Sequence, residues 1–392
     1  MLPPIDRPFT QPTTLRLPPI TFGAGAVGQV AEEVRRVAAS RVLVVTDPGV
    51  AGSGVAGHVR DLLEAAGITT GIYDRVPPEP SVASVEVAFD AWRSGNYDAV
   101  VGVGGGSSLD TAKGISIRTA NDGPVSRYFG VEQLPTRGVP YILLPTTAGT
   151  GSEVTPSAIF DDTDRQLKAG IVSSRLMAAA AIVDPDLTVS CPPHVTAAAG
   201  LDALTHALEA YVAVKANPIS DLYALEAVRL VGQHLRGAVA RGTDRAARAG
   251  QLLASLYGGV TIVAAGTGLC HAMAYPLGSA YHVPHGVANA LLLPAVMAYN
   301  LPADLAKFAR LAEALGEPVA GLSLRAAAER SVEAVRQLSK DVGLPGGLRA
   351  VGVPESALEG FVPGALGAAR LITNNPRVPT PDGVLHAYRE SW

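Results

Sequence analysis

Asp202 and His206 stand four residues apart in Ala199-Gly-Leu-Asp-Ala-Leu-Thr-His-Ala-Leu-Glu209. On a helix that spacing puts both side chains on one face, one turn apart, where they can hold the same ion. A surface pair is the ordinary alternative, but these are polar groups on an otherwise apolar helix, costly to bury unpartnered. The stretch Gly268-Leu-Cys-His271-Ala-Met-Ala-Tyr275-Pro-Leu-Gly-Ser-Ala-Tyr-His282-Val-Pro-His285-Gly-Val-Ala-Asn289 gathers three of the eight histidines in an apolar setting punctuated by Gly and Pro. Two helix-borne ligands and two of these histidines make a three-nitrogen, one-carboxylate set. That set suits Fe(II) or Zn(II) and is poor for Mg or Ca. Spacing alone leaves open whether His282 or His285 completes it. His58, His194, His234 and His386 stand alone and read as surface or core residues. Cys270 has no base arranged for a thiolate and reads as a small buried residue.

Two glycine loops compete for a phosphate. Gly23-Ala-Gly25-Ala-Val-Gly28 matches G-x-G-x-x-G, with Asp47 about 20 residues on, as a dinucleotide fingerprint requires. Gly102-Val-Gly104-Gly105-Gly106-Ser107-Ser108 instead follows the apolar run Ala99–Val101 and precedes Leu109-Asp-Thr-Ala-Lys113. Pro18 and Pro19 disqualify the segment before the first loop as a central strand. The second loop follows a clean strand and opens a helix, whose free N–H groups and dipole favour an anion. Gly104, Gly105 and Gly106 place no Cβ in the way of a pyrophosphate, so they and Ser107 are the expected phosphate contacts. Asp47, at the end of its strand, could accept from ribose hydroxyls and repel a 2′-phosphate, favouring NAD over NADP. Its plainer role is to cap the turn at Pro48.

These residues need elements to hold them. Arg41–Thr46, Ile68–Tyr73, Ala99–Val103 and Val139–Leu144 read as strands, with helices over Val55–Ala66 and Ser81–Ser94. Strand–helix alternation means parallel strands with crossover helices, and continuous Val/Ile/Leu runs fit strands covered on both faces. From about Pro192 the pattern turns long, Ala- and Leu-rich and helical, with breaks at Asn217-Pro218, Gly242, Pro276, Pro284 and Pro302. The expected fold is an α/β N-terminal Rossmann-like domain with a parallel sheet, residues 1–190, plus an all-helical C-terminal metal-binding domain, residues 191–392.

The 392 residues divide into roughly two domains of usual size and are ample for a core without disulfides. Hydrophobic content of 48% and a net charge of -4 exclude disorder. With 31 basic and 35 acidic residues and no Lys/Arg cluster, a nucleic-acid partner is not expected. Two cysteines are too few for a disulfide framework and point to a reducing compartment. No basic and apolar leader opens the sequence and no uninterrupted apolar run would span a bilayer, so a cytoplasmic protein with no membrane partner is expected.

Taken in order, the motifs resemble the iron-containing (group III) alcohol dehydrogenase family. They are Phe22-Gly-Ala-Gly25, Gly104-Gly-Gly-Ser107, Leu144-Pro-Thr-Thr-Ala-Gly-Thr-Gly-Ser-Glu153, Val183-Asp-Pro185, Gly200-Leu-Asp-Ala-Leu-Thr-His206, Gly268-Leu-Cys-His271, Pro284-His-Gly-Val-Ala-Asn289 and Asn375-Pro-Arg377. The resemblance implies an active-site cleft between the two domains and metal ligands Asp202, His206, His271 and His285. It implies cofactor contacts from Gly104, Gly105, Gly106, Ser107, Thr146, Thr147 and Lys168, with Asp47 marking NAD preference. It implies reversible hydride transfer between NAD(H) and a small alcohol or aldehyde, with the ion as Lewis acid. The family commonly dimerises, and Pro12–Ile20 is an expected edge strand for a homodimer. This chain departs from the family at Tyr275, where many members carry a histidine that aids proton transfer, which leaves Tyr275 and His282 as relay candidates beside His271. It departs again at Glu79, where many carry Asn. A related reading is a reductase of an anionic substrate such as maleylacetate, a semialdehyde acid, or a phosphono- or sulfo-aldehyde. A more distant one is a lyase resembling dehydroquinate synthase.

Overall fold

The valine-rich runs of the first half pair into one parallel sheet in the computed structural model, which describes residues 13–164 and 167–392. The strands are β1 (Ile20–Phe22), β2 (Arg41–Val45), β3 (Thr69–Tyr73), β4 (Ala99–Gly104), β5 (Gly130–Val131), β6 (Tyr141–Pro145), β7 (Ser157–Asp162), β8 (Leu167–Val172) and β9 (Ala180–Val183). Six of them form the main sheet in the order β1-β9-β6-β4-β2-β3, every pairing parallel. Alternation along each strand feeds two cores: Val42, Val44, Val101 and Val103 pack on one, Leu43, Val45 and Val100 on the other. The helices α1 (Val30–Arg36), α2 (Pro48–Gly52), α3 (Val55–Ala65), α4 (Val82–Ser94) and α5 (Gly106–Ala120) connect the strands. A small sheet, β5-β8-β7, lies after α5.

The four strands read from sequence are present, each within a residue or two of its expected limits. Three features differ. The edge strand expected at Pro12–Ile20 begins only at Ile20, after the two prolines, and pairs with β9 (Pro12 lies outside the described residues). Strand β9 was hidden in the Ala-rich run Met177–Ala181, because alanine carries little strand propensity. The β5-β8-β7 sheet fell between the longer apolar runs.

The second half is helical: α6 (Pro193–Val212), α7 (Pro218–Ala240), α8 (Arg245–Ala265), α9 (Leu269–Tyr281), α10 (His285–Asn300), α11 (Leu305–Ala314), α12 (Leu324–Asp341), α13 (Leu358–Gly367), α14 (Ala369–Ile372) and α15 (Pro381–Glu390). Asn217 caps α7 with a reciprocal Ser220 bond, and Pro218 fills its first position, where a missing N–H costs nothing. Pro276, expected as a break, lies inside α9. His285–Ala303 is long and apolar enough to cross a bilayer, but Leu292, Leu293, Val296 and Met297 are buried in the core of this half.

The chain divides into two compact units, Arg16–Cys191 and Pro192–Trp392, the described residues 13–15 grouping with the second. Among the described residues, the expected domains, 1–190 and 191–392, differ from these units by Cys191 and by residues 13–15.

Candidate metal centre and glycine loop

Three helices of the second unit bring four donors together. Asp202 and His206 project from α6, His271 from the first turn of α9, and His285 opens α10. One donor atom from each lies within 4.8 Å of all the others. The Asp202 Oδ1 is 3.9 Å from His206 Nε2, 4.0 Å from His271 Nε2 and 3.8 Å from His285 Nε2. Donors bound to one ion at about 2.0–2.2 Å are separated on this scale. The rings of His206 and His271 stack at 4.7 Å, and those of His271 and His285 lie 5.4 Å apart.

Asp202, His206 and His271 are buried and His285 is partly so. Burial pushes the Asp202 carboxyl up, but the charges of His206, His285 and His271 and a 2.7 Å bond from Asn289 Nδ2 outweigh it and hold the group at about 2. Burial also opposes a charge on His271, yet the charge and hydrogen bond of Glu209, together with the Asp202 charge, raise its pKa overall. The His271 Nδ1 lies 2.6 Å from Glu209 Oε2. Its Nε2 is buried and has no hydrogen-bond partner among the described residues. A buried imidazole nitrogen left open beside a carboxylate fits a metal ion, since an orphaned polar atom at that depth would otherwise be destabilising.

His282 lies outside this cluster. It is exposed and ends α9 in the left-handed conformation, with φ 52°. Tyr275 is half-buried, and its ring lies 6.4 Å from that of His285. Burial raises the Tyr275 pKa above its ordinary value, against the opposing charge of Arg370. A neutral phenol there can donate a proton or a hydrogen bond but is a poor base.

In the first unit the loop at the carboxyl end of β4 opens α5, and no side chain caps that N-terminus among the described residues. A Cβ on Gly104 would lie 2.6 Å from Ser108 Cβ, and one on Gly106 would lie 2.8 Å from Thr150 Cγ2. Thr146 donates its backbone N–H to the Gly104 carbonyl at 3.0 Å, and Thr147 lies against Gly105. Ser107 stands in the first turn, its carbonyl accepting from Thr111 at 2.8 Å. Asp47 caps α2: its Oδ1 accepts from Gly49 and Val50, both at 3.0 Å, and its Oδ2 from the Ser108 hydroxyl at 3.2 Å. Both plain and functional roles are open to one carboxylate, which has lone pairs to spare. Lys168 forms a close ion pair with Glu79.

The rival fingerprint is already satisfied from within. Asp184, fully buried, accepts from the Val27 N–H at 3.0 Å, while Ala26 and Gly28 donate to Gly23 and Gly25 carbonyls. The chain's own carboxylate sits where an anion would bind.

Sequence reasoning missed two groups. Glu209 and Asn289 flank the donors, and their signal was a polar residue at helical spacing: Glu209 three after His206, Asn289 four after His285. Lys113 is fully buried and donates to the Ser152 carbonyl at 2.8 Å, the Ser152 hydroxyl at 2.5 Å and the Ser157 carbonyl at 2.6 Å. Asp110 accepts from the same hydroxyl at 2.6 Å and from Ile159 N–H at 2.9 Å. Together they tie α5 to the loop after β6. Their signal was charge within the apolar face of Leu109–Ile117.

A parallel α/β unit with an open glycine loop, and a helical unit with a cluster of one aspartate and three histidines, define the class of metal-dependent dehydrogenases. Residues 18–185 match the family described as Iron-containing alcohol dehydrogenase, and residues 196–392 its C-terminal part, Fe-containing alcohol dehydrogenase family, C-terminal. The chain is 43% identical to Long-chain-alcohol dehydrogenase 1 of Geobacillus thermodenitrificans (strain NG80-2), over 92% of this chain and 91% of that one. It is 38% identical to the NAD-dependent methanol dehydrogenase of Bacillus methanolicus, over 94% and 97%. The crystal structure of a 1,3-propanediol oxidoreductase superposes with a TM-score of 0.95 at 39% identity, covering 97% of this chain and all of that one. The protein belongs to the iron-containing alcohol dehydrogenase family and is an oxidoreductase.

Proposed function

We propose that this protein catalyses reversible hydride transfer between NAD(H) and a small alcohol or aldehyde, with Fe(II), or Zn(II) in its place, held by Asp202, His206, His271 and His285. The observation that carries the reading is the convergence of those four donors around a buried His271 Nε2 that no protein group among the described residues satisfies. When bound, the metal supplies Lewis acidity toward a substrate oxygen and the nicotinamide supplies or accepts the hydride.

The chain's own residues do the rest. Gly104, Gly105, Gly106 and Ser107 offer an open helix N-terminus to the pyrophosphate, with Thr146 and Thr147 behind them. Asp47 accepts from the ribose hydroxyls and disfavours the 2′-phosphate of NADP. Lys168, paired with Glu79, would contact the nicotinamide ribose of a bound cofactor, as the family resemblance implies. Tyr275 is the proton donor or relay, its raised pKa keeping it protonated at neutral pH. His282, exposed beyond the cluster, is the second relay candidate. Residues 1–190 act as the cofactor domain and 191–392 as the metal domain. The apolar edge of β1, with Ile20 and Phe22 exposed, supports a homodimer. Cys191 and Cys270 form no disulfide among the described residues, which supports a cytoplasmic setting.

The test is NADH and NADPH oxidation across a panel of small aldehydes, on apoprotein reconstituted separately with Fe(II) and Zn(II). Aldehyde-dependent oxidation favouring NADH is expected, and His271→Ala should lose both metal and turnover. Absence of aldehyde-dependent oxidation with either metal overturns the reading.

A further inference from the structure

Glu209 follows His206 on α6 and is 5% exposed. Among the described residues, three donors reach its carboxylate, all from the start of α9: Gly268 N–H at 3.0 Å and His271 Nδ1 at 2.6 Å on Oε2, and Cys270 N–H at 2.5 Å on Oε1. Gly268 is the N-cap of α9 and has no side chain with which to cap it. Glu209 therefore does from a neighbouring helix what a Ser or Asp would do locally.

The bond to His271 carries a second consequence. A neutral imidazole has one N–H and one lone pair, and an ionised carboxylate can only accept. At 2.6 Å from Oε2, Nδ1 must carry the proton, since the other tautomer would set two lone pairs against each other. The lone pair then lies on Nε2, which faces Asp202 Oδ1 at 4.0 Å and has no protein partner among the described residues.

We propose that Glu209 is the positioning residue that fixes the Nδ1–H tautomer of His271, aiming Nε2 at the Asp202 cluster and setting the metal affinity of the site. The inference rests on the metal reading above. A carboxylate behind a ligating histidine raises its basicity and fixes its ring, and loss of such a partner costs about 10–100-fold in metal affinity. Glu209→Gln is isosteric, but its amide can present an N–H to Nδ1, driving the proton to Nε2 and blocking the ligand atom.

Two measurements on the full-length apoprotein decide the matter. Histidine 15N shifts, recorded at a pH high enough for the ring to be neutral, should show His271 protonated on Nδ1 in the wild type and on Nε2 in Glu209→Gln. Competition for Zn(II) or Co(II) with a chromophoric chelator should give a dissociation constant about 10–100-fold weaker in Glu209→Gln. A role confined to capping α9 would lower the unfolding midpoint of the apoprotein while leaving the tautomer and the affinity within twofold of wild type, which overturns the proposal. Where Glu209→Gln does not fold, Glu209→Asp keeps the charge but withdraws the carboxylate by one methylene. It should bind metal more weakly than wild type and more tightly than His271→Ala, and an unchanged affinity again overturns the idea. A wild-type protein that takes up no metal would refute the metal reading itself, a different outcome from unaltered binding in the Glu209 variants.

Discussion

Several buried polar atoms have no hydrogen-bond partner among the described residues, and two of them, on His271 and Glu153, call for opposite readings. His271 Nε2 is open toward three other donors and is explained by an ion. Glu153 is 1% exposed, and its Oε1 has no partner among the described residues and no cluster to face. Burial pushes its carboxyl up to about 7, against a backbone hydrogen bond and the Lys113 charge, which pull it down. In the unfolded chain the same group titrates near 4.5. Between those two values the folded protein holds a proton that the unfolded chain has released. The contribution is therefore fully present below about pH 4.5 and declines as pH rises through 7, by up to about 3 kcal/mol. Glu153→Gln removes this slope. Urea unfolding should find the variant close to wild type at pH 5 and more stable by a few kcal/mol at pH 8; the same difference at both pH values would sink the account.

At the scale of elements, the loop after β4 shows what glycine is for. Gly104 has φ 155°, a conformation side chains rarely adopt, and its missing Cβ leaves room for Ser108 Cβ and Asp47. Gly104→Ala combines backbone strain with overpacking, each worth about 1–3 kcal/mol, so the unit should lose about 2–6 kcal/mol. The displaced loop should also raise the KM for NADH, and an unchanged denaturation midpoint with unchanged KM would count against the loop's role. This element was legible because a continuous valine run, a glycine cluster and a helix onset adjoin in sequence. The four-donor metal cluster was legible in part: i,i+4 spacing gave one half, and the resemblance chose His285 over His282. The lone Asp184 that fills the rival fingerprint was not legible, since it lies 157 residues from the Val27 N–H it binds. Strand β9 and the Glu209–His271 bond share that obscurity: a short Ala-rich strand has no periodicity, and a cross-helix bond leaves no mark in spacing.

For the whole molecule, the two halves of the proposed chemistry belong to different units. The glycine loop, Asp47 and Lys168 lie within Arg16–Cys191, and all four metal donors lie within Pro192–Trp392. Metal binding should therefore stabilise one unit directly. A ligand at 100 times its dissociation constant adds about 2.7 kcal/mol to the state that binds it, and about 1 kcal/mol moves the midpoint of a unit of this size by about 2–4 °C. Protons compete for the same donors, since a histidine binds an ion only through a deprotonated nitrogen, so acidification displaces the metal. The sequence supplies its own reporters, for the two tryptophans fall one to each unit. Trp92 lies on α4, and Trp392 donates its indole N–H to the Val353 carbonyl at 2.8 Å. Trp92→Phe leaves Trp392 to report the helical unit, and Trp392→Phe leaves Trp92 to report the α/β unit. On adding a chelator at pH 7.5, the Trp392 transition should fall by about 5–10 °C while the Trp92 transition stays in place. The same fall should be reached without chelator on lowering the pH toward 5. Chelation that shifts neither transition, or shifts both equally, would show that the ion is absent or that its binding energy is not confined to the helical unit.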